Sequence, residues 1–223
     1  MLTIIATPIG NLKDITLRSL EALQAADGII CEDTRRASLL LNHFQIKKPL
    51  TTLNDFNEHK MYPEIISKLK LGQNLALVSD AGTPLISDPG FKLVRECLKE
   101  GLEVDSLPGP SAITTALTLS GLPPDKFMFL GFLPDKPGHR QNVYSQITQI
   151  SKITPTTFIL FIAPFKLIKT LEEMQQALGN IDITLAKELT KIYQNVSTKK
   201  ITDWLEQFKK HPPKGEFVML IRL

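Results

Sequence analysis

No stretch of the 223-residue chain is apolar over the roughly 18 residues that a membrane span requires. Met1-Leu2-Thr3 leads straight into a strand-like run, without a basic n-region or a small-residue cleavage site, so no secretory leader is expected. Only two cysteines occur, Cys31 and Cys97, which excludes a disulfide scaffold and suits buried, reduced thiols in a cytoplasmic protein. The four histidines lack a Cys or His partner at ligand spacing, so no metal centre is expected, and His59 is read as part of a surface loop. Internal repeats and low-complexity tracts are also missing, as are the Walker lysine loop and the dinucleotide glycine fingerprint.

What remains is a hydrophobic content of 43% and a charged content of 22%, ordinary for a globular chain that can bury one large core or two small ones. Charge is divided unevenly. Residues 1–115 carry 12 Lys and Arg against 14 Asp and Glu, a net of −2, whereas residues 116–223 carry 14 against 9, a net of +5. An anionic partner such as RNA therefore suits the second half better.

The segment around which the chain is organised runs from Leu75 to Gly90. Leu75 to Val78 reads as a buried strand, and Ser79 to Gly90 then concentrates two Asp, two Gly and two Pro. A plain strand-to-helix connection needs only about 2–6 residues, so this longer polar loop is assigned to a binding site at a strand's carboxyl end. Asp88-Pro89 is read as an N-cap and first helical position, and Gly101 as the glycine closing that helix.

Before this segment, Leu2 to Ala6 forms a strand that leaves through Thr7-Pro8-Ile9-Gly10-Asn11. A helix follows, capped by Asp14 or Thr16, with Leu17, Leu20 and Leu23 on its apolar face. Gly28 to Cys31 is a strand ending in Glu32-Asp33-Thr34-Arg35-Arg36, and the next helix has a wide apolar face from Leu39, Leu40, Leu41 and Phe44. Pro49 to Leu53 is a short strand, followed by a polar loop, Asn54 to His59, and a helix to about Leu71.

Further on, Leu102 to Leu107 is a strand running into Pro108-Gly109-Pro110-Ser111 and a helix of small residues, Ala112 to Ser120. Gly121-Leu122-Pro123-Pro124 marks the boundary between two α/β lobes, 1–119 and 120–223. The second lobe reads as strands at Phe127 to Phe132, Thr157 to Ile162, Ile183 to Ala186 and Phe217 to Ile221. A basic loop, Lys136 to Arg140, and a helix around Trp204 complete it.

Eight blocks, in order, resemble the bacterial small-subunit ribosomal RNA methyltransferase I family of the tetrapyrrole methylase superfamily. They are Ala6 to Leu12, Glu32-Asp33-Thr34-Arg35, Ser79 to Gly90, Pro108 to Ala112, Ser120-Gly121-Leu122-Pro123, Phe129 to Pro134, Glu188-Leu189-Thr190-Lys191 and Lys214-Gly215-Glu216-Phe217. The resemblance implies a two-lobed α/β fold with S-adenosylmethionine held in a cleft between the lobes. It implies 2′-O-methylation of a cytidine in the decoding region of 16S rRNA, with the rRNA or the small ribosomal subunit as partner, by a cytoplasmic homodimer.

The cofactor residues it implies are Ile9, Asp80, Ala81, Gly82, Thr83, Ile86, Ser87, Asp88, Ser111, Ala112, Ile162, Ala163 and Leu189. Catalytic candidates are Glu32, Asp33, Arg35, Lys187 and Glu188, with Lys187 and Glu188 equally readable as a structural ion pair. The chain departs from the family pattern at Asp135, Ile162, Phe165 and Lys166, all in the second lobe, and no helical extension is expected after the last strand. Carbon methylation of a tetrapyrrole and a non-catalytic RNA-binding relative are the alternatives.

Overall fold

The computed structural model describes residues 1–223, which divide into two units, Met1–Ser111 and Ala112–Leu223. The first unit alternates strand and helix: β1 (Leu2–Ile5), α1 (Leu17–Ala25), β2 (Gly28–Cys31), α2 (Thr34–His43), β3 (Leu50–Thr52), α3 (Glu58–Lys70), β4 (Leu75–Val78), α4 (Phe91–Lys99) and β5 (Val104–Leu107). Its sheet has the order β3-β2-β4-β1-β5 with every neighbouring pair parallel. Parallel strands connected through helices must be covered on both faces. Successive side chains supply the two cores accordingly. Leu2, Ile4, Leu75 and Leu77 face one side with Ile65, Leu69 and Leu93, while Ile5, Ala76 and Val78 face the other with Leu23, Ala37 and Leu41.

All five carboxyl ends lie along one edge of that sheet, which brings the connections after β1, β2, β4 and β5 together. This layout bears out the α/β reading. Several local expectations are corrected. Leu17 and Leu39 are exposed, because α1 and α2 lie on the sheet along narrower faces centred on Leu23 and on Leu40 and Leu41. The polar loop after β3 ends sooner, and His59 is an exposed residue within α3. Asp88-Pro89 does not start α4. Its N-cap is Gly90 at φ +117°, a conformation glycine adopts without a Cβ penalty. Gly101, at φ +68° just past the α4 cap, does close that helix.

The second unit begins with α5 (Ala112–Leu119), which packs on its own sheet, so the contact boundary precedes the Gly121–Pro124 segment. It continues through β6 (Phe127–Phe132), α6 (Pro137–Ile153), β7 (Thr157–Ile162), α7 (Pro164–Leu178), β8 (Asp182–Lys187), β9 (Asn195–Lys200), α8 (Ile201–Lys210) and β10 (Phe217–Ile221). The sheet order is β6-β7-β10-β8-β9, parallel only between β6 and β7. One cluster centred on Tyr144, Phe158, Leu167, Leu171, Trp204 and Met219 fills its core. Strand β9 was not foreseen. Asn-Val-Ser-Thr-Lys-Lys lacks apolar alternation because it is a solvent-facing edge strand, where lysines also discourage further pairing.

The basic loop at 136–140 is also corrected. Lys136 caps α6, and Arg140 is a helical residue only 8% exposed. Its guanidinium makes a two-pronged pair with Glu173 of α7 (2.7 and 2.6 Å) and donates to the carbonyls of Pro134 and Asp135. The Tyr144 hydroxyl donates to the same carboxylate at 3.2 Å. Removing one partner leaves the other charged and buried, so Glu173→Ala should destabilise the protein by about 3 kcal/mol. Urea unfolding tests this, and a loss below about 1 kcal/mol would show the pair to be solvated like an ordinary surface bridge.

Candidate functional site

The carboxyl edge of the first sheet is held by backbone bonds between its loops. Thr7 N–H donates to Gly82 O at 2.8 Å and Gly82 N–H to Thr7 O at 2.9 Å, a one-residue antiparallel bridge joining the loops after β1 and β4. Thr7 Oγ1 also donates to Ser79 O (3.2 Å), and Thr83 Oγ1 to Pro110 O in the loop after β5 (3.2 Å). Gly82 sits at φ +81°, and a Cβ there would come within 3.3 Å of Ile9 Cγ2. The sequence therefore needs glycine at this crossing for both backbone angle and space.

Beyond the bridge, Leu85 and Ser87 adopt φ values of +75° and +67°. Left-handed angles at non-glycine residues each cost roughly 1–2 kcal/mol, and such strain gathers at functional sites. Leu85 turns into the α3–α4 core while Ile86 and Ser87 stay exposed. The far end of the loop is anchored by Glu58 in the first turn of α3. Its buried carboxylate takes a hydrogen bond from Lys92 Nζ of α4 (2.9 Å).

This edge is acidic. Asp80, half-buried at the carboxyl end of β4, lies 3.4 Å from Arg36 Nε. Burial raises its proton affinity, and Arg36 opposes the rise. Asp88 is pushed up to about 6 by burial, with Asp80 adding to the shift and the Ser79 hydroxyl working against it. The Glu32 carboxyl is likewise held above its ordinary value, first by burial and then by Asp80, Asp88 and Asp55. Asp80 thus raises the proton affinity of both Asp88 and Glu32, and Asp88 that of Glu32, so the three carboxyls form a negative patch favourable to a cationic ligand. No cluster of His, Cys, Asp and Glu has an arrangement that could hold a metal ion.

The other candidates after β2 behave differently. Asp33 caps α2 by accepting the Arg35 N–H (2.8 Å), and the Arg35 guanidinium folds back onto the same carboxylate (3.0 and 2.6 Å). That contact holds the Asp33 carboxyl down at about 2, which makes it a weak base. Arg36, which the sequence reading had not included among the site residues, is the cation facing Asp80. Helical periodicity does not distinguish neighbouring arginines by which carboxylate they meet.

In the second unit, Phe217 on β10 is level with both Ile162 on β7 and Lys187 on β8. Ile162-Ala163 and Lys187-Glu188-Leu189 thus reach the same end of that sheet, with Ile162 and Leu189 buried. Glu188 is partnered by Lys191 (3.1 Å) and by the Glu216 N–H (2.8 Å). Its structural partner is therefore Lys191 and not Lys187. Burial pushes the Glu188 carboxyl up, but the Glu216 N–H and Lys191 outweigh it and leave it below its ordinary value. Ser111 closes the first unit and Ala112 opens the second, both half-buried.

A model of the family described as tetrapyrrole (corrin/porphyrin) methylases matches residues 1–204. The chain is 42% identical over 220 residues to the ribosomal RNA small subunit methyltransferase I of Thermotoga maritima, covering 99% of this chain and 97% of that one. It is 45% identical over 224 residues to the Haemophilus influenzae protein of the same name, covering 99% and 78%. Among solved structures, a diphthine synthase superposes with a TM-score of 0.77 at 18% identity, covering 99% of this chain and 89% of that one. A uroporphyrin-III-C-methyltransferase from Thermus thermophilus gives 0.65 at 15%, covering 98% and 93%. At such identities the two structures establish the fold alone.

The raised Asp88 carboxyl has a consequence for stability. A carboxyl with a folded value near 6 against 3.8 when free binds its proton more tightly in the folded protein. Folding therefore loses stability from this group as pH rises from about 4 through 6. Asp88→Asn should melt above the parent protein at pH 7.5, and the gap should close as pH falls through 6. Calorimetry at a series of pH values reads this directly, and a gap independent of pH would contradict the assignment.

Proposed function

Because the chain belongs to the tetrapyrrole methylase family and, within it, to the ribosomal RNA small subunit methyltransferase I family, we propose that it methylates the 2′-hydroxyl of a cytidine in the decoding region of 16S rRNA. S-adenosylmethionine is the proposed methyl donor, and the small ribosomal subunit or its RNA the acceptor. The observation that carries this reading is identity of 42–45% over 99% of this chain to relatives of that name. The cytoplasm, where small subunits are assembled, is the proposed place of action, and a homodimer the proposed assembly. No helix is long and apolar enough to cross a membrane.

The acidic edge of the first unit fits such a cofactor. Asp80 and Asp88 supply counter-charge for a sulfonium or ammonium group, while Gly82 and Ala81 let a ligand approach the backbone closely. Ile9, Thr83, Ile86, Ser87, Ser111 and Ala112 are proposed to line the pocket, and Ile162, Ala163 and Leu189 to contribute to it. The cofactor supplies an electrophilic methyl carbon with a neutral thioether leaving group, so no acid is needed for departure.

The chain must instead align the ribose oxygen with that carbon and take its proton. Glu32 is the proposed acceptor, since its carboxyl is held above the ordinary range where Asp33 is held below it. The tetrapyrrole alternative is supported by the broad family description and by fold likeness, whereas the relatives at 42–45% identity carry the ribosomal RNA name, and a purely RNA-binding role leaves the strained loop at 79–90 without a purpose.

Mapping ribose methylation in 16S rRNA, after incubation of unmethylated small subunits with the protein and S-adenosylmethionine, tests the reaction. A single 2′-O-methylcytidine in the decoding region is expected, and none refutes it. Gly82→Val should weaken S-adenosylmethionine binding at least tenfold by calorimetry, because it strains the Thr7 bridge and fills the space beside Ile9. Glu32→Gln should lower kcat by about 100-fold with cofactor affinity within threefold. Equal turnover in that variant would remove Glu32 from the mechanism.

A further inference from the structure

The hairpin between β8 and β9 is held more rigidly than a connecting loop requires. The strands pair up to Lys187 and Asn195, and residues 188–194 form the turn. Glu188 and Thr190 both have left-handed backbone, at φ +51° and +62°. Glu188 Oε1 accepts the Glu216 N–H and Lys191 Nζ, and Lys191 Nζ also reaches Glu216 Oε2 at 2.9 Å. Thr190 N–H donates to Gln194 Oε1 at 2.6 Å. A Cβ on Gly215 would lie 2.6 Å from Glu188 Oε1, so the neighbouring segment is shaped around this carboxylate.

The tip so fixed carries two large side chains in water, with Ile192 91% and Tyr193 76% exposed. Neither contributes to the core of the unit, so the ordering of this turn serves something outside the chain. At the foot of the hairpin a cavity of about 120 Å³ is rimmed by Lys187, Asn195, His211 and Lys214 over a floor of Trp204 and Phe208. Tyr193 is two residues from Asn195, hence within about 7 Å of this rim along the backbone. Lys209 and Lys210 end α8 beside His211, and Lys199 Nζ lies 5.0 Å over the Trp204 ring. Glu188 of the turn and Glu216 before β10 share Lys191, a net of −1, and Lys187 and Lys214 bring the rim to a net of +1.

We propose that this hairpin is a single-stranded RNA docking element, in which Tyr193, flanked by Ile192, stacks on an unpaired base while Lys187 and Lys214 take an adjacent phosphate. The inference rests on the RNA-methylating reading. A rigid, exposed aromatic next to cations is the arrangement by which proteins hold unpaired bases: the ring supplies a stacking face and the lysines neutralise the backbone. A protein partner is less suited, because the apolar tip is small and its surroundings are positively charged rather than apolar.

The test measures binding of the full-length protein to unmethylated small subunits at several salt concentrations. Tyr193→Ala should weaken binding about tenfold and raise KM for the subunit, leaving kcat at saturation within twofold, while Tyr193→Phe keeps the parent affinity. Lys214→Ala should reduce the slope of log affinity against log salt by about 0.7–0.9. Calorimetric affinity for S-adenosylmethionine and the sedimentation coefficient should not change in any of the three. Parent-like RNA affinity in Tyr193→Ala overturns the proposal, as does a smaller sedimenting species, which would make the tip a contact between copies of the chain. Should the parent protein methylate no RNA, the reading beneath the proposal fails along with it.

Discussion

The pair of backbone hydrogen bonds between Thr7 and Gly82 is the constraint on which the site depends. Strands of only four residues end before their loops can be paired by the sheet, so the N–H and C=O groups beyond β1 and β4 need partners of their own. The bridge provides them, and it sets the spacing between the two loops that frame the acidic edge. Ser79 and Thr83 extend the same network, and Glu58 anchors the loop where α4 begins. Strain at Leu85 and Ser87 persists because the loop is held at both ends.

Charge is specialised by unit. In the first, Asp80 raises the proton affinity of Glu32 and Asp88, and Arg36 is the cation set against Glu32 and Asp80. In the second, several lysines and arginines that contribute to the net +5 are spent inside the fold. Arg140 is buried against Glu173, and Lys191 ties Glu188 to Glu216. Each of these cations meets an acid already counted in the net +5, so the pairings decide where that charge lies on the surface and leave its size unchanged.

The residues that the resemblance marks as departures from the family pattern are related to one another in the structure. Asp135 and Lys166 occupy two of the divergent positions and form an ion pair at 2.6 Å, with the Lys166 ammonium 5.7 Å over the Phe165 ring. Three of the four divergent residues thus meet at the surface. The fourth, Ile162, is buried at the end of β7 beside Phe217, where an unpaired acid would be costly to desolvate.

Much of this was legible from residue order, because strand ends and buried runs are local properties. β2, β4, β6, β7 and β10 lie where their apolar runs place them, and glycine at 82 and 101 marks real left-handed backbone. β9 was hidden, since an edge strand exposes polar residues whose pattern resembles a loop. The start of α4 was misplaced because Asp88 faces Ser79 and Asp80 instead of capping, a choice made by contacts nine residues away in sequence. Likewise, only packing shows that Arg140 belongs to Glu173, 33 residues on, and that Glu188 belongs to Lys191 and Glu216. The sequence by itself determined the alternation of strands and helices and the family motifs, which rest on neighbours in the chain. Which charges are used inside the fold and which remain for a ligand was decided by tertiary structure alone, because a charge's partner is set by distance in space.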